Sequence, residues 1–209
     1  MAASPSNPGG QNIAYAYFRH AENLFHSGWF KESEKLLDIS LEFFPDFSEG
    51  LFLYSRIYSI QQETTLQELN YLEKAIQADS WAKTKVDLAK IELAGVLIRI
   101  GRFHRANRVL NELAEQRNGT PEVSLLWAKS LIGLKKIREA EEFLAAALKR
   151  FTKELRLYLL YAEVLSSLGE KDKALTILDR GLKVNPLASE LLYAKAKIEQ
   201  NLKIRLEFL

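Results

Sequence analysis

The sequence predicts an all-α fold built from repeated pairs of helices. Three observations predict it. Long stretches are rich in Leu, Ala, Glu and Lys, and ten glycines and five prolines in 209 residues are too few for a chain of strands and turns. Apolar residues recur at three- and four-residue steps, as at Tyr158, Tyr161, Ala162 and Leu165. Four columns of identical residues recur at a period of 34: Ala94, Ala128 and Ala162; Leu97, Leu131 and Leu165; Ala106, Ala140 and Ala174; Leu110, Leu144 and Leu178.

A period of 34 holds two helices and a turn. The first repeat runs from about residue 14, with Tyr17, Ala21 and Leu24 on one helix, Gly28 at the turn, Ser33 and Leu37 on the next, and Pro45 at the exit. The second, from about 48, fits least well: Ser55 and Tyr58 match, but Gln62 stands at the turn and Gln67 where a small residue is expected. Its second helix is predicted to start at Thr65, where Thr65 and Glu68 suit a capping box. Gly28 to Gly101 is two periods plus five. The five extra residues fit best in 79–85, as a longer helix or an enlarged turn around Trp81.

The third repeat, from about 87, has Gly101 and Ala106. The fourth opens at Thr120-Pro121, a cap followed by a first-turn proline, and carries Ala128, Gly133 and Ala140. The fifth, from about 155, turns at Gly169, continues through Ala174, Leu178 and Gly181, and ends at Asn185-Pro186. A final helix starts near Ser189. The paired alanines, such as Ala162 and Ala174, let two helix backbones cross closely. Residues 1–11 read as a flexible Pro/Gly/Ser tail, and 12–209 as one repeat domain. The apolar ending solvates a repeat array poorly, so Phe208 and Leu209 are expected to fold back or the chain to continue.

Little here points to chemistry. There is no cysteine, hence no disulfide and no thiolate ligand, which fits a reducing, cytoplasmic setting. No secretory leader or membrane span is expected. His20, His26 and His104 lack the four-residue spacing of helical metal ligands. Phosphate-binding glycine motifs are absent, and NGT at 118–120 reads as a turn rather than a glycosylation site. The expectation is no enzyme, no catalytic residue, no metal and no cofactor. Residues 1–100 carry 9 Lys/Arg against 13 Asp/Glu, and residues 101–209 carry 20 against 14, so the second half favours an acidic partner. Arg99, Arg102, Arg105 and Arg108, with Arg117 beyond, read as a solvated face. Nucleic-acid binding through them is the alternative.

This pattern resembles the tetratricopeptide repeat family. The resemblance implies a right-handed superhelix, an α-solenoid of antiparallel helix pairs, whose first helices line a concave groove for another protein's peptide or helix. From the first half the candidate groove takes Phe18, Phe52, Leu53, Arg56 and Ile91. From the second it takes Leu125, Leu126, Lys129, Leu159, Leu160 and Glu163, with Tyr193 and Ala194 at the matching places of the final helix. The paired leucines make that groove comparatively apolar, unless curvature or a folded-back terminus buries them. Some members of the family clamp a C-terminal carboxylate with lysine and asparagine. Phe18 and Glu22 stand at those places, so a chaperone-tail adaptor is not expected. A docking or regulatory part of a larger protein is a further alternative.

Overall fold

The computed structural model describes residues 8–60, 65–82, 86–115 and 119–207. Gln62, Arg117, Phe208 and Leu209, each named above, lie outside them, as do residues 83–85 of the enlarged connection. Eleven helices and no strand occur among the described residues. The chain divides into two compact units after Ile100.

The first unit holds α1 (Pro8–His26), α2 (Phe30–Phe43), α3 (Ser48–Ile60), α4 (Thr65–Ala78) and α5 (Val86–Arg99). Each helix packs on the next in sequence, and α1 also packs on α3. Helix α1 begins at Pro8, so residues 8–11 are helical rather than part of a tail. In the first pair the small position is Ser33. Its hydroxyl donates to the Ala21 carbonyl at 2.8 Å, tying α2 to α1 at their closest approach.

The second pair corrects the expected frame. The fourth residue of α2 is Ser33, and the fourth of α4 is Glu68, not Gln67. Gln67 is exposed and Glu68 is 6% exposed. Nor does Glu68 act as a capping-box partner of Thr65. Its carboxylate accepts from the Arg99 guanidinium of α5. Burial raises the Glu68 carboxyl above its usual range, and Arg99 draws it back.

Helix α4 ends at Ala78, with 14 residues like α2, so the surplus does not lengthen the helix: one of the five extra residues falls before Glu68, and four enlarge the connection. The connection is tied to the start of α3. Ser80 N–H donates to Ser48 Oγ at 2.9 Å, Ser48 N–H donates to Ser80 Oγ at 2.9 Å, and Ala82 N–H donates to Glu49 Oε1 at 2.6 Å. Trp81 meets the Phe52 ring edge-on at 5.9 Å.

The second unit holds α6 (Phe103–Glu115), α7 (Pro121–Gly133), α8 (Ile137–Arg150), α9 (Leu155–Ser167), α10 (Lys171–Val184) and α11 (Ser189–Glu207). Consecutive helices pack, and α9 also packs on α7 and on α11. Thr120 caps α7 as expected, accepting from Val123 N–H at 3.3 Å, with Pro121 in the first turn. Leu144, Leu157 and Leu178 are fully buried, and Ala140 and Ala174 sit at the close crossings. Arg156 at the start of α9 reaches back 34 residues to Glu122 at 2.8 Å, joining equivalent positions of successive pairs.

One turn closes without a glycine. Gly28, Gly101 and Gly169 have φ of 82°, 76° and 80°, the left-handed conformation that ends a helix. In the fourth repeat Lys135, not Gly133, takes that place, with φ 62°. Lys136 N–H donates to Leu131 O at 2.9 Å, as Glu170 N–H does to Leu165 O, so the same turn closes in both. Gly133 is small for a packing reason instead, because a Cβ there would come within 2.3 Å of the Phe103 ring. Replacing Lys135 by glycine removes the side-chain penalty of the left-handed region. It is expected to stabilise the chain by about 1 kcal/mol, read as a higher melting temperature.

Candidate functional site

The first helices of successive pairs in the second unit are α7, α9 and α11. A hollow of about 750 Å³ lies between α9 and α11, lined by Leu159, Glu163, Tyr193, Lys197 and Ile198. A smaller one of about 240 Å³ lies between α7 and α9, lined by Lys129, Ile132, Leu160, Glu163 and Ser167. Glu163 and Ser167 border both, so the two form one groove along α9. Its walls are apolar at Leu159, Ile132 and Ile198, and Tyr193 is 71% exposed. Lys129, Glu163 and Lys197 rise at its edges, all exposed.

The sequence-predicted residues divide into two groups here. Leu159, Lys129 and Glu163 come together at the groove surface. Leu125, Leu126 and Leu160 do not stand open to it: they are 4%, 8% and 9% exposed, Leu160 in the floor of the smaller hollow and Leu125 and Leu126 in the core, bordering neither. The α11 residues Tyr193, Lys197 and Ile198 complete the groove. Tyr193 is expected there from the sequence; Lys197 and Ile198 are not, although Lys197 stands 34 residues after Glu163.

In the first unit the predicted residues are largely covered by the unit's own side chains. Phe18 is buried under Phe47, ring edge to ring face at 5.1 Å. Phe52 is 5% exposed beneath Trp81, and Leu53 is 4% exposed. The Arg56 guanidinium lies 5.0 Å from the centre of the Phe25 ring. Ile91 is half-buried. Beside it Glu92 is desolvated, which raises its carboxyl, and Arg56 moderates the effect. Trp81 reaches Phe52 only because of the enlarged connection. The five-residue surplus located that connection but not its direction.

No group of three or more potential metal ligands gathers among the described residues. No described helix is long and apolar enough to cross a membrane. Some charged side chains sit in exposed ion pairs, such as Arg138 between Glu141 and Glu170, at 2.9 and 3.0 Å. What the second unit offers is a surface for contact: an open trough with an apolar floor and separate charges at its rim.

A family model described as tetratricopeptide repeat matches residues 131–198, from the end of α7 to the groove-lining half of α11. The fold is that of the tetratricopeptide repeat. Solved tetratricopeptide structures superpose over most of the chain. YrrB, a TPR protein with an unusual peptide-binding site, is 18% identical, with a TM-score of 0.73 over 93% of this chain and all of that one. MamA from Desulfovibrio magneticus RS-1 is 12% identical, with a TM-score of 0.74 over 85% of this chain and 97% of that one. PilF of Pseudomonas aeruginosa is 17% identical, with a TM-score of 0.70 over 94% and 87%. At these identities the likeness is one of fold: the all-α helical-repeat solenoid expected from the 34-residue columns. Among curated proteins none matches this sequence.

Proposed function

We propose that this tetratricopeptide-repeat chain is a protein-interaction scaffold, or adaptor, that holds a peptide or helix of a partner protein in the groove of α7, α9 and α11. The observation that carries it is the contrast between the two units. In the first, Phe47, Trp81 and Phe25 occupy the face on which a ligand would lie. In the second, the equivalent face is an open trough of about 750 Å³ with Leu159, Tyr193 and Ile198 along it. The peptide-binding site of YrrB, a protein of the same fold, supports the reading by analogy. The role is binding and not catalysis. A cytoplasmic setting suits a chain without cysteine.

The test uses side chains that are open to the trough. Leu126 and Leu160 are 8% and 9% exposed, so glutamate at either would damage the core before it reported on binding. Leu159→Glu with Tyr193→Ala avoids that. Peptides selected from a randomised library on the intact chain are expected to lose at least about tenfold in affinity on this variant, with its helical spectrum unchanged. Undiminished binding would place the ligand site elsewhere.

A further inference from the structure

One position recurs along the first helices, directly after the alanine or serine column of Ala21, Ser55, Ala128 and Ala162. In the first unit its charges are engaged. Glu22 accepts from Arg19 at 2.8 Å, and Arg56 lies on the Phe25 ring. In the second unit the same position carries Lys129 on α7, Glu163 on α9 and Lys197 on α11, each 34 residues from the next. All three are exposed and border the groove. No ion pair joins any of them to a residue whose side chain the structure describes.

The row therefore runs positive, negative, positive across three neighbouring helices. Packed helices lie about 8–10 Å apart, so each step of the row is of that length. Long side chains can bridge such a step, as Arg156 does to Glu122, but these three do not pair with one another, and each charge is left for something laid across the helices. A polyproline-type extended segment has three residues per turn and rises about 3.1 Å per residue. It brings every third side chain to one face at about 9 Å intervals, the step of the row.

Resting on the groove reading above, we propose that the second unit selects an extended partner segment carrying an acid, a base and an acid at three-residue steps. The base lies at Glu163 and the acids at Lys129 and Lys197. Between them, apolar side chains of the segment enter the trough beside Leu159 and Tyr193. The charges fix which segments dock and in what register, while the apolar contacts supply most of the affinity.

A phage-displayed library of randomised decapeptides, panned on the intact chain, tests this. A second panning uses the row reversed: Lys129→Glu, Glu163→Lys and Lys197→Glu, three exposed substitutions. The wild-type chain is expected to enrich acid, base, acid at three-residue spacing, and the reversed chain base, acid, base. A synthetic peptide from the first set is expected to bind the reversed chain at least about tenfold more weakly. The same charge pattern from both chains, or a seven-residue spacing that marks a helical ligand, would overturn the proposal. Peptides that lack charge order but fail on Leu159→Glu with Tyr193→Ala would sink the charge row and leave the groove standing. Peptides indifferent to both variants would sink both.

Discussion

Gly181→Leu is expected to cost about 3 kcal/mol of stability and to weaken peptide binding at the same time. Gly181 lies inside α10, where glycine costs about 1 kcal/mol relative to alanine as a helix residue. Packing explains its presence. A Cβ there would stand 2.7 Å from Leu191 Cδ1 of α11 and 3.1 Å from Cβ and Cγ of Tyr158 on α9. Leu191 and Tyr158 are buried, at 1% and 3% exposure, and have no room to yield. A leucine at 181 must push α9 and α11 away from α10, and these are the two walls of the larger hollow. Chemical denaturation followed by circular dichroism reads the first effect, and fluorescence anisotropy of a selected peptide reads the second. A stable variant with full affinity would show that the α9–α11 spacing does not shape the trough.

Arg99→Ala is expected to destabilise the chain by about 2 kcal/mol at pH 7, less than the roughly 3–5 kcal/mol for breaking a fully buried pair because Arg99 itself is half exposed. The loss comes from Glu68, left in the helix crossing without its cation. Its sign with pH follows from the direction of the shift. Burial raises the Glu68 carboxyl, so the folded state binds the proton more readily than the unfolded one, and stability falls as pH rises through the folded value. Arg99 counters that rise. Without it the carboxyl climbs further, so the variant is expected to lose most near neutrality and least in mild acid. Adding Glu68→Ala gives the second pair the small residue that Ala106, Ala140 and Ala174 give the others. The double variant is expected to recover at least wild-type stability. A single variant as stable as wild type at pH 7 would contradict this account of the pair.

The repeat itself was legible because close helix crossings demand small residues at fixed intervals. Ala128, Ala140, Ala162 and Ala174 mark those crossings, and the helices at 121, 155 and 189 start where the columns place them. The second pair was misread by one residue. Leu37 and Leu72, both fully buried, are 35 apart, so Glu68 and not Gln67 falls in the small column. A charged residue at a crossing looks wrong until the cation that neutralises it is known, and Arg99 is 31 residues away. Gly133 has a role that its place in the sequence hides. A glycine near a helix end suggests a turn, but this one makes room for Phe103, and the turn falls on a lysine.

The groove was legible only in part. The leucine pairs Leu125-Leu126 and Leu159-Leu160 differ by one residue along a helix, about 100° of rotation. That rotation separates Leu159, at the surface, from Leu160, in the floor. Which of the two faces the trough depends on how each helix is rolled against its neighbours, which the period does not specify. Covering of the first unit's face depended on which way the enlarged connection would turn, which its place in the sequence leaves open.

That connection bears on how the chain finds its pairing. Stacked repeats that look alike can associate one repeat out of step, and such slipped stacks are a common failure of repeat proteins. In the first unit a slipped α3 would leave Glu49, 3% exposed, without the Ala82 N–H, and would uncover Phe52 from Trp81. The irregular connection thus works as a key: it fits one neighbour, and the correct order of helices is the one in which it closes.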